Sequence, residues 1–376
     1  MTDTPNTHLK HVKVEGFKSI QSFDLDMKPI NILIGANGSG KSNFISLFTF
    51  LRNLSEGKLQ VYVEGNGAAN AFFHFGAKRT PQIKIGLQVG INGYHTTFVH
   101  GAHDDSLVFA DEYCTINSSS KPWPIKGKKG ESGLLPGGEA TSDRVRKYTR
   151  EYLKACRVYH FHDTGSSAGF KQTCDVSAND YLSHDARNLA AFLYRLKSST
   201  IKSYTKSFQD IIDAVKTIAP FFHDFYLEPT GDTGEEKILL KWIHRDHDDP
   251  FSANQLSDGT ARFICMATLF LQPLSLRPKR PKLIVLDEPE LGLHPAALEV
   301  LAELVKAASK DSQVICSTQS VTFANQFEAK DFIVVDQKKG VSTFTRVDEE
   351  QLKGWLEDFS MGEVWTKNLI GGRPEW

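Results

Sequence analysis

Residues Gly35-Ala-Asn-Gly-Ser-Gly-Lys-Ser42 follow the apolar run Ile30–Ile34 and precede Asn43–Leu54, where Phe44, Leu47, Phe48 and Leu51 recur at helical spacing. The local order is therefore strand, glycine loop, helix. These eight residues fit G-x-x-x-x-G-K-[ST], a pattern expected by chance in a chain this long on the order of one per cent of the time. The glycines let backbone N–H groups turn inward around phosphates, and the following helix aims its positive end at them. Lys41 supplies charge to the β and γ phosphates of ATP, and the Ser42 hydroxyl ligates Mg2+. Gly35, Ala36, Asn37, Gly38, Ser39, Gly40, Lys41 and Ser42 are thus the candidate nucleotide-binding residues.

Two further motifs lie far downstream. Leu283-Ile-Val-Leu-Asp287-Glu288-Pro289 reads as a buried strand ending in two carboxylates. A strand that stops at Asp287 delivers that carboxylate to a metal at the C-terminal edge of the sheet. Glu288 is then placed to deprotonate or orient an attacking water. Leu256-Ser-Asp-Gly-Thr260 precedes an apolar helix. Ser257 suits its N-cap, and a capped N-terminus with a hydroxyl and free N–H groups also suits an anion.

The order of these motifs resembles the ABC ATPase superfamily, in which LSDGT stands for the signature usually written LSGGQ. Gly16-Phe-Lys-Ser-Ile20 ahead of the phosphate loop, and Glu290-Leu-Gly-Leu-His-Pro295 after the carboxylates, resemble the RecF/SMC branch. The resemblance implies that Lys18 and Ser19 touch nucleotide, that Ser257 and Gly259 act on ATP across a dimer seam, and that Leu291–Pro295 forms the loop at that seam. Gln319, in Ser317-Thr-Gln-Ser320, stands where the family places a switch histidine. It can hydrogen-bond a γ-phosphate but cannot take a positive charge. Asp258 departs from the family's glycine, so its side chain must point away from phosphate or pair with a cation. The family's Q-loop should follow the strand Arg157–Phe161, where His160-Phe-His162-Asp163 stands without an obvious glutamine. Alternation puts His160 and His162 on one face. A metal site is one reading; His162 or Asp163 sensing magnesium or water is the other.

The expected fold is α/β, a P-loop NTPase of ABC head type with an N-terminal antiparallel β lobe, a parallel-sheet lobe and a helical insertion. Residues 1–164 and 250–376 would form the composite head and residues 165–249 the mainly helical insertion. Strands are expected at 11–15, 22–26, 82–89, 94–99 and 106–112, with Asn92–Gly93 as a hairpin turn. Lys121–Gly138 reads as a mobile loop. No heptad run long enough for a coiled-coil arm is present.

Composition bounds the rest. The chain has 376 residues and a net charge of -1, so no global field draws it to nucleic acid or anionic membrane. Local basic groups leave nucleic acid open as a partner: Lys147, Arg150, Lys154 and Arg157 recur at helical spacing, Arg277, Lys279, Arg280 and Lys282 cluster, and Trp123 lies among lysines of 121–129. Solvated faces explain these residues equally well. Five scattered cysteines without a CxxC pair suit a reduced compartment. The N-terminus lacks the apolar core of a signal peptide, and the apolar stretch 263–271 is too short to span a bilayer, so the expected location is cytoplasmic with no membrane contact. The segment Trp355–Trp376, with the tryptophans Trp355, Trp365 and Trp376, is expected to pack on the ATPase core or to present an aromatic partner site.

The function expected from this set is an Mg-ATP-dependent switch in which a homodimer, or a higher oligomer built from dimers, sandwiches ATP. The resemblance suggests DNA repair or anti-phage defence alongside a separate effector; no pattern in the tail reads as a nuclease or Toprim domain, so nucleic-acid cutting by this chain alone is not expected. Alternatives are a nucleotide-binding scaffold with little turnover and the nucleotide-binding subunit of a transporter.

Overall fold

Along Leu9–Phe17 the side chains of Val12 and Val14 are buried while Lys13 between them faces water, the period of a strand with one wet face. This strand pairs antiparallel with Ile20–Asp26 and with Gln82–Val89. Hairpins carry the sheet onward through Asn92–His100 and Leu107–Ile116. Ile30–Ile34 has no alternation. All of its residues are buried, and it runs parallel to Gln313–Thr318 and to Phe332–Lys338, as a strand covered on both faces does. The computed structural model describes residues 8–102, 104–116, 122–127, 130–140, 143–276 and 280–372.

The antiparallel and parallel parts belong to one 13-stranded sheet. From Glu139–Ala140 and Trp123–Lys126 it runs through the N-terminal hairpins to Ile20–Asp26. Val341–Arg346, Phe332–Lys338, Ile30–Ile34, Gln313–Thr318, Leu283–Asp287 and Cys156–Tyr159 follow in that order. The helix Lys41–Glu56 packs on this sheet through Phe44 and Phe50, whose rings lie 5.4 Å from Phe344 and 5.5 Å from Phe98. Each fully buried phenylalanine contributes about 1.5–3 kcal/mol, so the aromatic cluster is the main fixture of the helix that begins at the phosphate loop.

The chain divides into two compact units. The first comprises Met1–Val158, Lys282–Val285 and Asp311–Trp376, and contains this sheet and the phosphate loop. The second comprises Tyr159–Pro281 and Leu286–Lys310. Its helices are Leu189–Ser198, Lys202–Ile218, Asp258–Phe270 and Pro295–Ala308. A small antiparallel sheet of Phe222–Tyr226, Lys241–His244 and Phe251–Ser252 accompanies them. The helix Asp258–Phe270 is buried at every residue from Thr260 onward, as its all-round apolar sequence requires. No helix among the described residues is long and apolar enough to cross a membrane. None of the five cysteines forms a disulfide, and four of them are buried.

Several local expectations need correction. Asn92–Gly93 is not the hairpin turn: Val89 pairs with Asn92, so the two-residue loop is Gly90–Ile91, with Gly90 at φ 58°. The expected loop 121–138 is tied down where it is described, residues 121, 128 and 129 lying outside the described set. Trp123–Lys126 adds a strand to the sheet edge. Glu112, a buried carboxylate that needs donors, receives the Ser132 hydroxyl, the Tyr94 hydroxyl at 2.7 Å and the Gly133 N–H at 2.7 Å. Farther along the chain, Lys237–Ile238 pairs with Cys174–Asp175 and Lys241–His244 with Phe222–Tyr226.

Candidate nucleotide-binding residues

In the first unit, Gly35 ends the strand Ile30–Ile34 and Gly40 caps the helix Lys41–Glu56. Gly40 has φ 115°, and a Cβ there would stand 2.1 Å from the Ser342 hydroxyl, so no other residue fits without displacing that strand. Asn37 and Gly38 are exposed at the crest, Ala36 is half-buried, and Ser42 faces out. The Lys41 ammonium lies inside the loop, donating to the carbonyls of Gly35 at 2.6 Å and Ala36 at 2.9 Å. The Ser39 hydroxyl is buried without a hydrogen-bond partner among the described residues. A buried orphan hydroxyl costs about 1–3 kcal/mol, and an added phosphate oxygen would satisfy it. The loop's donors therefore fit a nucleotide phosphate.

Lys18 and Ser19 stand beside this loop. Ser19 Oγ accepts from the Ser342 hydroxyl at 2.7 Å and from the Asn43 amide at 2.7 Å, which ties the first β-turn to the start of the helix. Lys18, at φ 51°, donates to Ser46 Oγ at 3.1 Å, and burial holds its ammonium below the usual lysine pKa. The C-terminal segment also reaches this loop, which no sequence pattern announced. A Cβ on Gly372 would lie 3.5 Å from Gly35 Cα, and the Gly372 N–H donates to Asp336 at 2.7 Å. Trp365 is buried as expected, Trp355 is exposed, and Trp376 lies outside the described residues. Gln319 follows the strand Gln313–Thr318 and is exposed.

In the second unit, Asp287 and Glu288 are half-buried where the apolar strand ends. Glu288 has φ 43°, a left-handed conformation that costs a non-glycine residue on the order of 1–3 kcal/mol and marks a constrained site. The turn behind it is closed by Leu291 N–H to Glu288 O at 3.2 Å and by Leu293 N–H to Glu290 O at 3.0 Å. Ser257 is the N-cap of Asp258–Phe270: its exposed hydroxyl accepts from Thr260 N–H at 3.2 Å. A Cβ on Gly259 would meet Gly292 O at 2.5 Å, so this glycine permits the turn Glu288–Leu293 to approach the helix start. Asp258 is exposed in the first helical turn, where it complements the dipole and favours the charge of Arg262 one turn on.

Arg262 itself went unread in the sequence. Only 5 % exposed, it donates to Phe161 O at 2.8 Å, His162 O at 3.0 Å and Leu291 O. One guanidinium thereby holds the histidine segment and the turn after the carboxylates together; desolvation lowers its pKa despite Asp258. Nothing local in the sequence signals partners 101 and 29 residues away. The ligand atoms of His160, His162 and Asp287 lie within 4.8 Å of one another. Burial lowers the His160 pKa, with Asp287 opposing. Asp163 turns back to accept from Gly165 N–H at 3.0 Å.

The basic groups do not gather into one open stripe. Lys147 is exposed, Lys154 and Arg157 are half-buried, and the Arg150 Nε donates to Ser55 O at 3.1 Å. Arg280 donates to Phe270 O at 3.2 Å, while Arg277 and Lys279 lie outside the described residues.

Comparison with known proteins bears on the family and the fold of the chain. Residues 145–325 match the family described as an AAA domain, putative AbiEii toxin, Type IV TA system, and residues 8–121 match an AAA ATPase domain. The DNA replication and repair protein RecF of Renibacterium salmoninarum is 25% identical over 260 residues, covering 61% of this chain and 62% of that protein. The Old nuclease of Escherichia phage P2 is 26% identical over 363 residues, covering 87% of this chain and 59% of that protein. The chain thus spans about three fifths of the length of these relatives. Among solved structures, an Smc head bound to the C-winged helix domain of ScpA superposes with a TM-score of 0.60 at 14% identity, over 92% of this chain and 99% of that one. A second Smc head domain, with an extended coiled coil and bound to the C-terminal domain of ScpA from Pyrococcus furiosus, gives 0.55 at 14% identity, over 93% and 99%. These two likenesses establish the fold.

Proposed function

Because the chain is an ABC-type ATPase of the RecF/SMC-like branch, we propose that it is an ATP-driven switch whose active unit is a head-to-tail homodimer. In this reading Gly35–Ser42 wraps the phosphates, with Lys41 and the Ser39 hydroxyl turned to them and Lys18 and Ser19 alongside. Ser42 and Asp287 hold Mg2+, which when bound neutralises charge on the β and γ phosphates. Glu288 takes the proton of the attacking water and Gln319 hydrogen-bonds the γ-phosphate. Residues 1–164 and 250–376 supply the head, and residues 165–249 the insertion.

The observation that carries the dimer is the exposed Ser257 hydroxyl at the N-terminus of a helix buried along the rest of its length. Its free N–H groups and positive end suit a γ-phosphate, and a partner chain's phosphate loop brings one. A two-fold axis then makes both composite sites alike. The RecF relative, a DNA replication and repair protein, favours duty in DNA repair; anti-phage defence, with a separate effector reading the closed state, is the other setting proposed.

Mixing two inactive chains tests the arrangement. Lys41→Ala removes the phosphate lysine, and Ser257→Arg blocks the signature by bulk while sparing monomer folding and ATP binding. A head-to-tail pair of one of each puts both defects into one site and leaves the other intact. ATP turnover is expected to rise on mixing; turnover that stays at the level of either variant alone speaks against composite sites.

A further inference from the structure

We infer that His160, His162 and Asp287 form a binding site for a divalent transition cation of the Zn2+ class. Their ligand atoms already lie within 4.8 Å of one another. Ligands around a zinc ion at about 2.0–2.2 Å stand about 3.4 Å apart, so each pair has at most about 1.4 Å to close.

The backbone presents the three groups in fixed positions. Tyr159 and Phe161 are buried with their rings 5.7 Å apart, which leaves the alternating His160 and His162 on the other face. Their rings are 6.2 Å apart and inclined by 34°. The His160 N–H donates to His184 O at 2.8 Å, while the Arg262 guanidinium holds the carbonyls of Phe161 and His162. Asp287 ends a buried strand and is followed by Glu288 in its constrained turn. This is the rigid support that a metal site requires.

The donor set decides the class of ion. Mg2+ demands oxygen ligands in near-ideal octahedral geometry, whereas two imidazoles and one carboxylate match Zn2+ and its neighbours in the first transition row. Three protein ligands leave a coordination position open to water or an anionic oxygen. The inference shares only Asp287 with the proposed ATPase roles, and zinc binding is expected without nucleotide.

The test uses the full chain, stripped of metal by a chelator, with no nucleotide present. Calorimetric titration is expected to give about one Zn2+ per chain, and Co2+ to give visible bands of nitrogen and oxygen ligation without a thiolate charge-transfer band. The His160→Ala/His162→Ala double variant is expected to weaken Zn2+ by at least about 100-fold, and His160→Gln to weaken it while keeping the circular dichroism of the parent. His244→Ala/His247→Ala, which alters the other histidine-rich loop, is expected to bind as the parent does. Unchanged affinity in the double variant, a thiolate band, or no binding at tens of micromolar overturns the site. ATP turnover with Mg2+ is measured alongside, so a chain that binds zinc but hydrolyses nothing counts against the proposed function alone.

Discussion

Glu288→Gln is expected to lower ATP turnover by about 100- to 10,000-fold, the usual cost of losing a general base, while nucleotide binding survives. The substitution is nearly isosteric, and the left-handed backbone at this position, φ 43°, is no harder for glutamine than for glutamate. Asp287, which the proposal assigns to the metal, is untouched. Phosphate release under saturating Mg-ATP gives the turnover, and a fluorescent ATP analogue gives the affinity. Turnover within about twofold of the parent would mean that another group takes the proton. Such a result would also favour the low-turnover scaffold, if the parent rate were itself near zero.

Arg262→Ala is expected to destabilise the second unit by about 2–4 kcal/mol, since it strands one buried and two part-buried carbonyl partners that one guanidinium now satisfies. Those carbonyls belong to Phe161, His162 and Leu291. Amides of 161–163 and 291–293 are expected to exchange hydrogen faster than in the parent, ahead of any change in the first unit. Arg262→Lys should recover little, because an ammonium is a point charge and cannot span a three-way fork. An unchanged denaturation midpoint together with unchanged exchange would show that the guanidinium carries no structural load.

Much of the fold was legible because burial period and turn chemistry agree. Ile30–Ile34 and Gln82–Val89 were placed to the residue, one from its unbroken apolar run and the other from alternation between turn residues. Asn92–Gly93 misled because a turn signal one step from the true loop satisfies the same pattern; only the register Val89↔Asn92 settles which pair turns. Val341–Arg346 was missed although Lys339–Gly340 before it carries the positive φ of a tight hairpin. The phosphate loop and the carboxylate pair could be read because each is contiguous in sequence. Arg262 and the approach of Gly372 to Gly35 could not, since tertiary packing alone brings those residues to their partners. The histidine pair lies between these cases: alternation put both rings on one face, but only folding brings Asp287 within 4.8 Å.

The central claim is that ATP closes two chains into one active unit, and sedimentation of the Glu288→Gln protein tests it most directly. In the proposed switch ATP binds the closed pair better than the open chains, so nucleotide is expected to drive association and blocked hydrolysis to preserve it. With Mg-ATP the variant is expected to sediment as a dimer, and adding Ser257→Arg to the same chain is expected to return it to monomer. A strict monomer at tens of micromolar protein with saturating Mg-ATP would contradict the account.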